Sequence, residues 1–220
     1  MDAADLGYFK EKNGHFVLIS DQVKIRKFIH YKYPGLPVYL FAHSMGTIIA
    51  RVLLQLYSGY YDKTVFSGYP NYQADVWAGL FVSSLLQKFR GPKYKSAFLQ
   101  KVSVGTFNKA VKNPRTEADW ICSNPETVDA YLNDPYCGIG FTCSAFHDLY
   151  CLMIQMHKPE AYKNIHETMP LLMLCGKEDP CVGGKKGMAD SYHTLSAAGF
   201  QEISQITYPK MRHELLNEKK

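Results

Sequence analysis

Leu36-Pro37-Val38-Tyr39-Leu40-Phe41-Ala42-His43-Ser44-Met45-Gly46-Thr47 is the stretch that decides the fold of this chain. Val38 to Phe41 is apolar throughout, as expected of a central parallel strand buried on both faces. Thr47 to Tyr57 places Ile48, Ile49, Val52, Leu53 and Leu56 at helical spacing. Between strand and helix stands a serine with small residues, Ala42 and Gly46, two positions to either side. This is the pattern of a nucleophile elbow. The turn is so tight that only small residues fit at those two positions. It lifts the serine hydroxyl above the strand ends, and the next backbone N–H faces the oxyanion that forms there. The segment predicts a serine hydrolase, with Ser44 as nucleophile and the Met45 N–H as one oxyanion donor. The plainer reading is a buried serine at an ordinary strand-to-helix turn, and the usual elbow has Gly where this chain has Ala42.

Working outward, Asp21 to Tyr33 reads as a helix with Ser20 or Asp21 as N-cap, Val23, Ile25, Phe28 and Ile29 on its buried side, and a stop at Tyr33-Pro34-Gly35. Thr64 to Gly68 is a second strand, running into the loop Gly68-Tyr69-Pro70-Asn71. From Asp75 to about Ile165 strand-like runs disappear. Helical stretches there are broken at Gly91-Pro92, Asn113-Pro114, Asn124-Pro125 and Asp134-Pro135. Lying between two strand-bearing regions, this block predicts a helical cap over a cleft, with ordinary core packing as the alternative. Strand character resumes at Met169–Gly176, followed by a helix over Ser191–Ala198 ended by Gly199, and a last strand over Ile203–Tyr208. The order predicts an α/β fold: a mostly parallel sheet with helices on both faces and a helical cap insertion. Its expected parts are residues 1–74 with the elbow, 75–165 as the cap, and 166–220 with two late loops.

A serine near neutral pH needs a histidine base, and the histidine needs an oriented carboxylate. Both belong on loops at the C-terminal ends of strands, in the chain order Ser, acid, His. The first late loop is Gly176-Lys177-Glu178-Asp179-Pro180. Asp179 precedes a proline and is held extended, which aims its carboxylate; Glu178 is the alternative acid. The second is Tyr208-Pro209-Lys210-Met211-Arg212-His213-Glu214, where His213 follows the last strand. His193 falls in the helix, and His43 is expected to point elsewhere on the elbow. Ser44, Asp179 and His213 therefore form the expected triad.

The bulk composition narrows the alternatives. At 220 residues the chain holds one core, or a core with a small cap. Net charge is +5, with short lysine clusters at Lys185-Lys186 and Lys219-Lys220, a pattern that predicts solvated surface and no nucleic-acid partner. The six cysteines form no C-x-x-C pair and no zinc spacing, so neither metal nor cofactor is expected, and Cys175 reads as a buried thiol. The acidic start Met1-Asp2-Ala3-Ala4-Asp5 lacks the apolar core of a leader, and no apolar run is long enough to span a bilayer. A reducing cytoplasm is the expected location.

Ala42-His43-Ser44-Met45-Gly46, Gly176-Lys177-Glu178-Asp179-Pro180 and Arg212-His213-Glu214-Leu215-Leu216-Asn217-Glu218 resemble the motifs of the α/β-hydrolase fold lysophospholipase and monoacylglycerol lipase group, also labelled serine aminopeptidase S33-like. Phe107-Asn108-Lys109, Asp119-Trp120 and Val128 to Gly138 are similar to that group's lid segment. The likeness runs from about Leu6 to Glu218. It implies Ser44 as nucleophile, Asp179 as acid, His213 as base, and a small lipid-like ester as substrate, with Trp77, Phe81, Leu85 and Phe107 shaping the acyl pocket. Besides Ala42, the chain departs from the group by placing Cys181 between Asp179-Pro180 and Val182-Gly183. The group also has an N-terminal region, with the first strands and a His-Gly loop giving a second oxyanion N–H, that has no counterpart in this sequence. About four strands are expected here, against about eight in the group. The elbow strand then has an open apolar edge that invites self-association. A lost oxyanion donor costs about 10²–10³ in kcat. The alternatives are accordingly an inactive or split remnant needing another chain, and a small-peptide or aminoacyl hydrolase.

Overall fold

Four short segments lie side by side in the computed structural model, which describes residues 5–219: β1 (Tyr39–His43), β2 (Lys63–Ser67), β3 (Leu171–Gly176) and β4 (Ile203–Tyr208). Met1–Ala4, which carry most of the expectation of no leader, and Lys220 of the terminal lysine pair lie outside the described residues. All pairings are parallel, in the order β1-β2-β3-β4. Parallel neighbours need crossovers, and helices supply them. After α1 (Gly14–Lys32), which precedes β1, these are α2 (Met45–Tyr57), α3 (Val76–Arg90), α4 (Ala97–Ser103), α5 (Pro125–Asn133), α6 (Cys143–Met156) and α7 (Gly184–Ala197).

The register aligns one face of the sheet. Ala42 lies opposite Phe66, and Phe66 opposite Met173. All three are buried, and Val23 of α1, Leu53 and Leu54 of α2 and Leu195 of α7 pack into the same cluster. The other face is less covered than the sequence led one to expect. Val65, Leu172 and Leu174 are half-buried there, while Tyr39, Phe41 and Ile206 are exposed. For the same reason β1 is not a central strand buried on both faces. Among the described residues it pairs with β2 alone and forms the sheet edge, so its apolar run is exposed at Tyr39 (61%) and Phe41 (52%).

Two helices begin earlier than their sequence signals. α1 starts at Gly14, after Asn13 in the left-handed region (φ 58°). Ser20 sits inside it, its hydroxyl donating back to the Val17 carbonyl. What fixes the true start is tertiary. A Cβ on Gly14 would fall 2.2 Å from Asp148 Oδ2, and His15 Nδ1 lies 2.7 Å from Asp148 Oδ1, so α6 pins the first turn of α1. α1 turns Ile19 and Val23, four residues apart, toward the core, which leaves Ile25 and Phe28 exposed. α7 starts at Gly184 rather than Ser191, because Gly183 in the left-handed region (φ 67°) turns the chain directly into the helix.

α6 ties the sheet layer to the segment above it. Leu152 and Met156 pack with Ile48 of α2, while Phe146, Tyr150 and Ile154 pack with Val76 of α3 and Leu99 of α4. α3 approaches so closely that a Cβ on Gly79 would lie 2.6 Å from the Tyr150 ring. All six cysteines are free thiols. No described helix is long and apolar enough to cross a membrane.

Candidate active site

Ser44 directly follows β1 with φ 52° and ψ −125°, a backbone that costs a non-glycine residue of order 1–3 kcal/mol and persists only when its surroundings hold it. They do. The Ser44 N–H donates to the Ser67 carbonyl (3.0 Å), and the Ser44 carbonyl accepts from both the N–H and the hydroxyl of Thr47 (each 2.8 Å). One turn on, the buried Arg51 donates from Nε to the Thr47 carbonyl (3.2 Å) and from Nη2 to the Pro70 carbonyl. Burial brings its pKa down to about 10, which leaves it charged near neutral pH. Ala42 fits where the usual elbow has Gly: a Cβ on Gly46 would still stand 3.9 Å from the Ala42 Cβ. The Met45 N–H opens α2 and is among the amides a helix N-terminus leaves without an intrahelical partner.

The acid and histidine loops are locked together by backbone. Lys177 N–H donates to Tyr208 O (2.8 Å) and Glu178 N–H to Met211 O (3.0 Å). A Cβ on Gly176 would lie 2.2 Å from the carbonyl oxygens of Met211 and Arg212, so the crossing tolerates only glycine. Asp179 is extended before Pro180 (φ −75°, ψ 113°). Its Oδ1 accepts from the Cys181 N–H (2.8 Å), and its Oδ2 lies 3.0 Å from His213 Nδ1. The Asp179 and His213 side chains are 0% and 4% exposed. Glu178, the other candidate acid, is half exposed and faces Arg212 at 3.9 Å. With Nδ1 taken by the carboxylate, Nε2 is the His213 nitrogen left to face a hydroxyl.

Cys181, the residue that interrupts the expected loop, supplies the N–H that holds Asp179. Burial, and then the Asp179 carboxylate, push its thiol well above its ordinary range. Asp179, Cys181 and His213 are close enough to hold a metal ion. Within the trio both carboxylate oxygens of Asp179 are already engaged, Oδ1 by the Cys181 N–H and Oδ2 by His213.

Three further contacts shape the surroundings of His213. Trp120 packs against it with ring centroids 5.1 Å apart, and Phe107 packs on Trp120 at 5.0 Å. His43 does not point away from the site: its ring lies 4.7 Å from that of His213. Burial, then the nearby His213, lower the pKa of His43 and favour its neutral form. Gly68 lies beneath the histidine, with φ +55°; a Cβ there would stand 2.8 Å from His213 O and 2.9 Å from its Nδ1. The histidine loop is also tied to the helical segment. Arg212 Nη1 donates to the carbonyls of Asp119 (2.6 Å) and Cys122 (3.1 Å). The Glu218 carboxylate accepts from the N–H of Arg212 (2.7 Å) and from the N–H and hydroxyl of Ser123.

Ser44 and Met45 line a cavity of about 680 Å³ whose other walls include Val82, Phe107, Trp120 and Tyr150. Of the residues expected to shape an acyl pocket, Phe107 lines it and Trp77, Phe81 and Leu85 do not. α3 turns Gly79 and Val82 toward the cavity, and Trp77, Phe81 and Leu85, one stripe further round, face outward (56%, 65% and 40% exposed). Sequence reasoning gave no role to Arg51, and it placed Trp120 in the lid-like segment without its contact to His213. An arginine within the apolar run of the elbow helix was the available signal for the first. Nothing local marks the second, which reaches His213 across 93 residues of chain.

The chain belongs to the serine aminopeptidase S33 family of hydrolases, whose model matches residues 13–220. Its fold is that of the α/β-hydrolases. It is similar to a thermostable carboxyl esterase from Bacillus coagulans (23% identity, TM-score 0.82, covering 92% of this chain and 66% of that one). It is also similar to a soluble variant of monoglyceride lipase from Saccharomyces cerevisiae (16% identity, TM-score 0.65, 99% and 67% covered). A third similar structure is a monoacylglycerol lipase from Paleococcus ferrophilus (15% identity, TM-score 0.63, 92% and 69% covered). At these identities the likeness establishes the fold. The chain spans about two thirds of the length of these structures. No curated protein matches it in sequence.

Proposed function

We propose that the chain hydrolyses carboxylic esters of lipid-like substrates, such as a monoacylglycerol or a lysophospholipid, through an acyl-enzyme on Ser44. The observation that carries this reading is the buried Asp179–His213 contact at 3.0 Å, in a site whose serine holds an elbow backbone at the wall of an apolar cavity. His213 Nε2 takes the hydroxyl proton as Ser44 Oγ bonds to the ester carbonyl carbon. The Met45 N–H donates to the resulting oxyanion. The proton passes to the leaving alcohol, and a water activated by His213 releases the acid. Asp179 holds the proton on Nδ1 and stabilises the imidazolium. Residues 75–165 serve as the cap that walls the acyl site. Wild-type chain should react with a fluorophosphonate probe, and Ser44→Ala should not; equal labelling of the two would sink the proposal.

The open edge at β1 favours a second reading, in which the sheet and the oxyanion hole are completed by further polypeptide. In that case the isolated chain labels with the probe yet turns over esters about 10²–10³ more slowly than with a second oxyanion donor in place. A p-nitrophenyl acyl ester series compared with aminoacyl anilides separates esterase from small-peptide hydrolase.

A further inference from the structure

The stretch from Val76 to Thr116 contains eight Lys or Arg residues and no Asp or Glu. The rest of the chain carries more acids than bases, so the whole net charge of +5 is concentrated here. The same stretch exposes the largest aromatic side chains of its helices. On α3, Trp77, Phe81, Leu85 and Phe89 recur every four residues and are 56%, 65%, 40% and 74% exposed; on α4, Phe98 and Val102 are 60% and 45% exposed. Four-residue spacing places each set on one face. These residues are not spare core, because the inward face of α3 is already filled by Val76, Leu80 and Leu86 packing on α6.

The position of the stripe gives it meaning. Ala78 and Val82, adjacent to it around α3, line the cavity that holds Ser44, and Phe98 and Val102 line it while remaining exposed. The two exposed α4 residues thus reach the cavity itself, and the α3 stripe runs beside the helix face that walls it. Cations flank the stripe. Lys93 is engaged by Asp5 and Arg115 by Asp129, whereas among the described residues Lys88, Arg90, Lys95 and Lys101 are exposed and meet no carboxylate. Lys88 and Arg90 lie over the rings of Phe89 and Tyr94. Their stems therefore run along apolar surface, with the charged heads outward.

We propose that the outer face of α3 and α4 docks on an anionic lipid surface, aromatic residues entering the headgroup boundary and the four cations meeting lipid phosphates. Apolar residues on one face with basic residues beside them is the physical pattern of an interfacial helix. A nucleic acid would match the charge but not the aliphatic Leu85 and Val102. Docking in this orientation sets the cavity mouth against the bilayer, so an acyl chain passes from lipid to Ser44 without crossing water. That consequence rests on the ester-hydrolase reading; the docking itself does not.

The test uses Ser44→Ala protein, so that the readout is independent of turnover, and cosedimentation with vesicles of phosphatidylcholine with and without phosphatidylglycerol. Binding should be selective for the anionic vesicles and should fall as salt is raised to about 0.5 M. Each basic residue at an anionic surface is worth roughly fivefold in partitioning, so Lys88→Gln/Arg90→Gln should bind roughly 25-fold more weakly. Phe81→Ser/Leu85→Ser should lose at least about tenfold. In the Ser44 background both doubles should hydrolyse a soluble short-chain ester like wild type, since none of the four residues lines the cavity. No binding, equal binding to neutral vesicles, or binding undiminished in both doubles (lipid taken up by the exposed sheet face instead) overturns the proposal. So does self-association in solution that Phe81→Ser/Leu85→Ser abolishes, which would make the stripe an interface between copies. Vesicle binding without any ester turnover would keep the docking and defeat the hydrolase reading alone.

Discussion

Gly68→Ala isolates the placement of the histidine from every other property of the site. Gly68 is clamped between two fixed elements: its N–H donates to the Leu174 carbonyl of β3 (2.9 Å), and its Cα faces His213. A methyl group there would stand 2.8 Å from a backbone carbonyl and 2.9–3.0 Å from two atoms of the imidazole. The carbonyl cannot rotate away, and the ring is held by Asp179, so the histidine loop must shift by several tenths of an ångström. The left-handed backbone adds about 1–2 kcal/mol, and the overpacking about 1–3 kcal/mol. Together they should lower stability by about 2–5 kcal/mol. A base displaced on this scale should cost about 10²-fold in kcat, because proton transfer depends on geometry near 3 Å. Gly35→Ala is the control. Gly35 has φ +78° with nothing within 4 Å of a built Cβ, so it carries the backbone strain without the collision. Steady-state hydrolysis of a p-nitrophenyl ester, with Tm measured alongside, reads both effects. Gly35→Ala should lose stability and keep kcat, whereas Gly68→Ala should lose both. A folded Gly68→Ala protein with kcat within about twofold of wild type would refute the view that this contact positions His213.

Asp179→Asn keeps the shape but offers an amide where the imidazole N–H needs an acceptor; kcat should fall by about 10⁴ with little change in Tm, read from steady-state rates and a melting curve. Arg51→Met removes the donors to the Thr47 and Pro70 carbonyls. The Thr47 carbonyl keeps its backbone bond within α2; at about 1–3 kcal/mol for the Pro70 carbonyl left unpaired, the change should lower Tm by roughly 2–12 °C in differential scanning fluorimetry. His147 is held below its ordinary value of 6.5, first by burial and against the opposing pull of Asp148. The unfolded chain therefore takes up its proton first as the pH falls, and stability should decline from about pH 6.5 downward, with its full value above. His147→Gln should flatten that decline between about pH 7 and pH 5 in urea titrations.

Strand ends were the legible part of this sequence. The elbow, the Gly176–Pro180 loop and the Arg212–Glu214 loop each follow a short apolar run whose end a sequence marks well, and the described sheet has the four parallel strands the pattern implied. What could not be read were quantities that depend on neighbours distant in sequence. β1 carries the composition of a strand buried on both faces, and its open edge was expected only from the family likeness, because composition does not encode topology. The start of α1 is set by Asp148, more than a hundred residues away, so Ser20 and Asp21 looked like a cap where the helix was already under way. Trp77, Phe81 and Leu85 have the helical spacing of a core stripe, and amphipathic periodicity reports that a face exists without saying which of two apolar faces turns inward. The link from Trp120 to His213 has no local signature at all.

The carboxylate of Glu218 and the guanidinium of Arg212 reach from the histidine loop into the segment around Ser123. The insertion between β2 and β3 is consequently not a detachable module. A chimaera that grafts a relative's insertion onto this scaffold would sever the bonds that seat the neighbour of His213, and would leave that histidine out of alignment however well the new pocket suited its ligand. For engineering, and for divergence within the family, the unit of exchange is the insertion together with the short tail that follows the last strand.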